Sequence, residues 1–244
     1  MWINIDSRNR TAGDNSRYTY HLLAPKKVSS FQVRSVAIPR CFYNVTATNN
    51  RIDFDEGGVE LNGTIAVGLY DATSILAAVK TGMDAVSGTT YTITVSAVTG
   101  MMTFVPAVGV CSLHWSSGAN TLINASEILG FRSSGAVQAP DVAAAGTITS
   151  PLPIELNPEK YIFLKFSVAS SSGMLSQRDS SEVMAIPVNV GAYEDIFYEI
   201  NEAVVFHSSS DGREVSDFEI QLCYANHAAV DLRGRSFGIN MVWN

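Results

Sequence analysis

Period-two alternation of apolar and polar residues is the feature that most constrains the fold of this chain. The alternating segments are Arg17 to Leu23, Phe31 to Ile38, Tyr91 to Ala97, Met102 to Pro106, Cys111 to Trp115, Tyr161 to Ala169, Ala203 to His207, Asp217 to Tyr224 and Ser236 to Trp243. Glycine- and asparagine-containing turn signals lie between many of them. Alternation over this length is typical of half-buried strands, so the sequence predicts an all-β protein.

One stretch has the helical period instead. The apolar residues at helical spacing are Ile75, Leu76, Val79, Met83 and Val86. With Asp71 or Thr73 as N-cap, the pattern predicts a helix from about Ala72 to Val86. A second helical turn is expected in "NASEILGF". Many short strands with one or two short inserted helices favour a single jelly-roll β-sandwich.

The predicted organisation is a basic N-terminal arm or lead-in over residues 1–16, followed by one jelly-roll domain over residues 17–244. No shift in composition marks a further domain. Residues 133–153 are rich in Ala, Gly, Ser and Pro, which predicts a long surface loop.

Low charge indicates that part of the surface is covered by other protein. Charged residues form 16% of the 244-residue chain, against about 25% in a typical soluble domain. The uncharged stretch between Asp84 and Glu127 is rich in Ser, Thr and Gly and alternates, so it does not predict a membrane span. Because interface cores are depleted in charge, we expect burial against other subunits.

Charge is also distributed unevenly along the chain. Residues 1–51 carry eight basic and two acidic residues, whereas the rest carries eight basic and 21 acidic residues. This polarity predicts that the N-terminal part faces an anionic neighbour, either nucleic acid or the acidic flank of another subunit. Tyr18 and Tyr20 alternate beside Leu22, which favours a role in the core over base stacking.

Motifs that would carry chemistry are incomplete. "GRSFG" around Ser236 is a GxSxG match, but only eight residues follow and none is a histidine or an acid. The four histidines form no HExxH zinc motif, and phosphate-binding glycine motifs are missing. The acidic run "DFDEGG" at Asp53 to Gly58 lacks the spacing of a calcium-binding loop, so it favours a solvated hairpin. Cys41, Cys111 and Cys223 are predicted to be buried thiols. The sequence therefore predicts no catalytic residue, no metal and no cofactor, and a protein that is not an enzyme.

The order of several motifs resembles a known family. The motifs are "IDSRNR", "SRYTYHLL", "KKVSSFQVRSVAIPRCFYNV", "NNRIDFDE", "VGLYDATSILAAVKTGMDAV", "YTITVSAVTGMMTF" and "ASEILGF", which together span about Ile3 to Phe131. In this order they resemble the penton and minor capsid proteins of DNA viruses with double-jelly-roll major capsids, which include virophages, polinton-like elements and large DNA viruses. Beyond Phe131 only the general strand pattern supports the resemblance.

The resemblance implies a single jelly roll that sits at the icosahedral fivefold vertices as a homopentamer. The expected partners are further copies of the chain, the major capsid protein and other minor capsid proteins, with a possible contact inside the capsid. The expected location is the virion, assembled inside the host cell. No specific nucleic acid is expected, because the few N-terminal arginines would release few counterions.

Five basic residues are candidate assembly contacts. We expect Arg8, Arg10 and Arg17 to bind carboxylates of an adjacent subunit, because guanidinium groups suit bidentate contact with a carboxylate. Lys26 and Lys27 are further candidates. Reversing the charge of the three arginines is predicted to block assembly while the monomer stays folded.

Two alternatives stay open at the level of sequence. One is another minor capsid protein that lies under or between capsomers. The other is a jelly-roll module that binds a glycan or receptor on a particle surface, with "RSSGAVQAPDVAAAGTITS" (residues 132–150) as the recognition loop.

Overall fold

The chain forms two compact units. The computed structural model describes residues 2–28, 30–132, 139–170, 182–200, 205–207 and 213–243. Unit 1 contains Met1–Phe42 and Glu159–Asn244, and unit 2 contains Tyr43–Pro158. These units do not coincide with the predicted division into residues 1–16 and 17–244. Whether residues 17–244 fold as one domain stays a prediction.

Strands dominate the described parts of the chain. They are β1 (Trp2–Asp6), β2 (Ala12–Gly13), β3 (Arg17–Val28), β4 (Ser30–Pro39), β5 (Arg51–Asp55), β6 (Leu61–Thr64), β7 (Tyr91–Val95), β8 (Met101–Pro106), β9 (Cys111–Leu113), β10 (Val142–Ala145), β11 (Ile148–Pro153), β12 (Tyr161–Ser170), β13 (Glu182–Pro187), β14 (Asp195–Glu199), β15 (Val205–His207), β16 (Arg213–Cys223) and β17 (Gly238–Trp243). A 3₁₀ turn (Ser7–Asn9) follows β1, and the helix α1 (Ser74–Asp84) follows β6.

Unit 1 is a jelly roll. Its first sheet has the order β1-β17-β4-β14, with β15 also paired to β4, and its second sheet has the order β13-β12-β16-β3-β2. Without the short β2 and β15, unit 1 has eight strands. When these are counted along the chain, the first, eighth, third and sixth form the first sheet. The fifth, fourth, seventh and second lie in the other. This is the jelly-roll arrangement, so the predicted fold class is confirmed.

The core of unit 1 lies between its two sheets, because alternate residues of each strand face inward. Phe31 on β4 contacts Phe166 on β12 and Phe218 on β16, with ring centroids 5.9 and 5.8 Å apart. Phe218 also stacks on Trp243 of β17 at 6.2 Å. Tyr18 is 1% exposed and meets the ring of Phe237 edge-on, which confirms its predicted place in the core.

The predicted lead-in is itself part of a sheet. β1 pairs with β17 in antiparallel register from Trp2 opposite Val242 to Asp6 opposite Gly238. Ser7 is then fully buried and exchanges hydrogen bonds with the backbone of Phe237. Residues 2–7 are therefore held by the last strand of the chain, which their basic composition did not indicate.

Unit 2 has a core of its own, and its sequence is inserted between β4 and β12 of unit 1. One sheet has the order β10-β9-β5-β6 and the other has the order β11-β8-β7. Phe54 of β5 and Tyr91 of β7 meet edge-on with centroids 5.7 Å apart, and Trp115 packs on Phe131 at 5.2 Å. The predicted strands from Tyr91 to Trp115 lie in this unit.

The helix lies close to its predicted bounds. It spans Ser74–Asp84, where Ala72 to Val86 had been expected, and it buries Ile75, Val79 and Met83. Thr73 occupies the N-cap position without a side-chain bond, whereas Asp71 Oδ1 accepts from the Ser74 amide at 2.7 Å. Asp71 thus accepts a hydrogen bond from a backbone amide of the first turn, which has no partner within the helix.

The prediction of a long surface loop over residues 133–153 is wrong over its second part. Residues 142–145 form β10 against β9, and residues 148–153 form β11 against β8. Ile148 and Ser150 alternate inward, and Pro153 ends an edge strand, where a missing amide is tolerated. Residues 133–138 lie outside the described residues.

Candidate functional site

Arg8 binds a carboxylate of its own chain. Its Nη2 lies 2.6 Å from Asp6 Oδ2, and its Nε lies 3.0 Å from both carboxylate oxygens. The hydrogen bond from Arg8 lowers the pKa of Asp6. This bidentate pair is the geometry predicted for contact with another subunit, formed here within the chain.

Arg10 organises the turn that leads into β3. Its guanidinium donates to the Ser7 carbonyl at 2.9 Å, the Gly13 carbonyl at 3.2 Å and Asn15 Oδ1 at 2.7 Å. Gly13 has φ +89°, and a Cβ there would lie 2.2 Å from the Arg17 carbonyl oxygen, so the turn requires glycine. The Arg10 guanidinium therefore stabilises this turn through hydrogen bonds within the chain.

Arg17 and His21 pair with β16. Arg17 donates to Glu219 Oε1 from Nε at 3.0 Å and from Nη2 at 2.8 Å. His21 Nδ1 lies 2.6 Å from Asp217 Oδ1, and this hydrogen bond lowers the pKa of Asp217. Both pairs are exposed and bridge neighbouring strands on the outer face of the second sheet, where a single ion pair contributes little stability.

Lys26 and Lys27 differ from the three arginines. Both are exposed near the end of β3, and in the described part of the chain neither forms an ion pair. Glu214 lies opposite Lys27 in the strand register without an ion pair between them. Of the five predicted contacts, Arg8 and Arg17 pair with carboxylates of the chain and Arg10 bonds to neutral oxygens, so the two lysines are the ones whose side chains stay available. Contact of any of the five with another subunit stays a prediction.

The outer face of the first sheet has a trough of about 360 Å³. Ala37 and Gly238 stand side by side in the strand register and form its floor, and Phe197 of β14 lies next in the same row. Phe197 is 66% exposed. Asn4 and Asn240 contribute amides to the lining, and Asn240 donates to Ser35 at 3.0 Å. Small residues on neighbouring strands allow another chain or ligand to approach the backbone.

The GxSxG match is not a nucleophile elbow. Gly234 has φ +76°, and Ser236 is followed by β17, not by the helix that an elbow requires. Ser236 lines the trough in unit 1. No hydrogen bond joins it to a histidine among the residues that the structure describes.

A serine, a histidine and an aspartate do meet in unit 2, a constellation that the sequence did not suggest. His114 Nε2 lies 2.6 Å from Asp55 Oδ2, and Ser117 Oγ lies 3.4 Å from His114 Nδ1, which is long for a nucleophile and its base. The amides of residues 116–120 donate to other groups of the chain, including Asp141, Glu60 and the His114 carbonyl. None of these amides is left to stabilise an oxyanion.

The acidic run at Asp53 to Gly58 forms the predicted hairpin of β5 and β6, but the expectation that it is solvated is wrong for Asp53. Asp53 is fully buried and accepts from the amide and side chain of Asn120. Burial opposes the charge of Asp55, yet the Gly57 amide and the His114 ring together lower its pKa. These carboxylates are therefore occupied by donors of the protein itself.

Other features give no further site. Within the described ranges, no group of three or more His, Cys, Asp or Glu side chains is placed to hold a metal ion. There, no helix is long and apolar enough to cross a membrane. The three cysteines are free, with Cys111 and Cys223 buried and Cys41 half-buried. Burial raises the pKa of the Cys111 thiol to about 11.

Comparison with solved structures identifies a protein of the same fold. The crystal structure of the mavirus penton protein matches with a TM-score of 0.52 and 8% sequence identity, covering 100% of this chain and 98% of that chain. No protein-family model and no curated protein sequence matches the chain. The predicted resemblance to penton proteins is thus confirmed at the level of fold.

Proposed function

We propose that this chain is a structural protein of a viral capsid, and specifically a penton that closes the icosahedral fivefold vertices as a homopentamer. The observation that carries the proposal is the end-to-end match to a penton protein, which includes both the jelly roll and the inserted unit.

The surface of unit 1 suits a subunit of a closed ring. A ring is built from heterologous contacts, so each copy must offer two different surfaces. Large apolar side chains are exposed on both sheets, with Trp2 and Phe197 on the first and Leu23 and Tyr161 on the second. Such residues are favourable at the centre of an interface and unfavourable in water.

We infer that the protein works in the virion after assembly inside the host cell, beside the major capsid protein and other minor capsid proteins. The basic turns around Arg8 and Arg10 are candidate contacts to the capsid interior. A non-enzymatic role is supported by the strand that follows Ser236 and by the engaged amides around Ser117.

A map of the parent particle at moderate resolution tests this function. Density for unit 1 is expected at the fivefold vertices, in five copies around each axis. Density only under or between hexagonal capsomers would replace the penton with another minor capsid role. Absence from the particle, with glycan binding by the free protein, would favour the recognition module.

A further inference from the structure

One lateral edge of unit 1 is acidic. Along β14, Asp195, Phe197 and Glu199 alternate outward and are exposed, whereas Ile196 is buried. In the described residues, neither Asp195 nor Glu199 forms an ion pair, and Arg235, which lines the same trough, forms none with Asp195. We call Asp195, Phe197 and Glu199 the acidic edge.

A second edge carries unpaired positive charge. β3 contains no acidic residue. Leu23 is fully exposed at 107%, and Lys26 and Lys27 follow it on the same strand. The partner strand β2 covers β3 only at Tyr18 and Thr19, so the later part of β3 has one free side in the described structure. We call Leu23, Lys26 and Lys27 the basic edge.

The two edges lie on opposite sides of the jelly roll. β14 ends the first sheet at the side away from β1, and β3 lies near the end of the second sheet. Tyr18 of β3 contacts the Phe237 ring at 5.5 Å, and Phe237 directly precedes β17, the strand that pairs with β1. β3 is therefore packed under the β1 side, which leaves β14 at the far side.

Each edge has the composition of half an interface. Along β14 and along β3, an exposed apolar residue is accompanied by charges of one sign on the same strand, as in interfaces with an apolar centre and a polar rim. Glu214 of β16 lies opposite Lys27 in the register but forms no ion pair with it in the described residues. The trough beside Phe197 has a floor of small residues and can admit an aliphatic side chain such as that of Leu23. Opposite charges on the two rims would favour this pairing and disfavour contact between two like edges.

We propose that the basic edge of one copy binds the acidic edge of the next copy, and that repetition of this contact closes the ring. The proposal rests on the proposed function, because it names the surfaces through which the homopentamer forms. A contact between opposite sides of the same unit is heterologous, which is the type that a ring requires.

Charge exchange tests the contact. Native mass spectrometry would compare the wild type, Lys26→Glu/Lys27→Glu, Asp195→Lys/Glu199→Lys and the quadruple variant at one protein concentration. Each double variant is expected to lower the ratio of pentamer to monomer by about tenfold or more, because like charges then face each other. The quadruple variant is expected to recover the pentamer, since the edges are again opposite in charge.

A control separates the contact from net charge. Lys80→Glu/Arg132→Glu makes the same change in net charge as the double lysine variant, at exposed residues of unit 2 that form ion pairs within that unit and belong to neither edge. It is expected to form pentamers like the wild type. The wild-type pentamer should also dissociate more readily as salt is raised, because exposed charges are screened.

The outcomes distinguish the two claims. Pentamers that persist in both double variants, or a folded quadruple variant that stays monomeric, would overturn the edge contact and leave the penton function standing. A wild type that never forms a pentamer would overturn both. Persistent pentamers together with glycan binding that Phe197→Ala removes would assign the trough to a saccharide and overturn the contact. Circular dichroism checks that each variant is folded, which is expected because all four residues are exposed.

Discussion

Replacing two phenylalanines of the same unit compares the stability contributed by a buried ring with that of an exposed one. Phe218 is fully buried and contacts Phe31 at 5.8 Å and Trp243 at 6.2 Å, so its ring joins both sheets. Phe218→Ala is expected to lower the free energy of unfolding by about 3–5 kcal/mol. The value should lie in the upper part of that range because two aromatic contacts are lost as well. The melting temperature should fall by roughly 10–15 °C.

Phe197→Ala is the matched control, because the same atoms are removed from a ring that is 66% exposed. We expect a change of less than about 1 kcal/mol in the free energy of unfolding. Urea unfolding would give the free energies, and native-state hydrogen exchange on peptides of β12 and β16 would place the effect in unit 1. Equal losses for the two variants would refute the assignment of Phe218 to the core and Phe197 to the surface.

Three further substitutions have defined outcomes. Ser7→Ala should lower the free energy of unfolding, measured with urea, by about 1–3 kcal/mol. The buried Phe237 amide donates to Ser7 Oγ at 3.0 Å and would lose this acceptor; an unchanged free energy of unfolding would contradict this. The His21 hydrogen bond lowers the pKa of Asp217, so its stabilisation is present above the ordinary pKa of 3.8 and is lost as pH falls through the lowered pKa. Asp217→Asn should therefore flatten that part of the acid-unfolding curve, and an unchanged curve would count against the pair. Ser236→Ala should leave both stability and background ester hydrolysis unchanged, and loss of a measurable turnover would revive a hydrolase.

The strands that alternate cleanly were predictable from sequence. The segments predicted at Phe31 and Tyr161 correspond to β4 and β12 with ends shifted by one residue. β14 was missed because its five residues put charges at both ends and an exposed phenylalanine in the middle. That pattern looks like a polar connection, although the same outward residues form the acidic edge.

The division into two units could not be predicted from amino-acid composition. Both cores consist of the same aliphatic and aromatic residues, for example Phe31 and Ile220 in unit 1 and Phe54 and Ile52 in unit 2. Alternation reports which face of a strand is buried and not which other strand covers it. Which core a strand joins is decided by pairing between distant segments, which one sequence does not reveal.

The partners of the N-terminal arginines were hidden for the same reason. Arg17 meets Glu219, which lies 202 positions away in the chain, only because β3 and β16 pair in one register. The excess of positive charge in residues 1–51 predicts an anionic neighbour, and contact with such a neighbour stays a prediction. For Arg8 and Arg17 the described structure supplies acidic groups within the chain, whereas Arg10 bonds to neutral oxygens and Lys26 and Lys27 form no ion pair in the described residues.

The mass of the purified protein under native conditions tests the central claim most directly. We expect a species of five times the 26.3 kDa chain mass, which dissociates in the Lys26→Glu/Lys27→Glu variant. A stable trimer, or a protein that stays monomeric at every concentration tested, would contradict the assignment as a vertex penton.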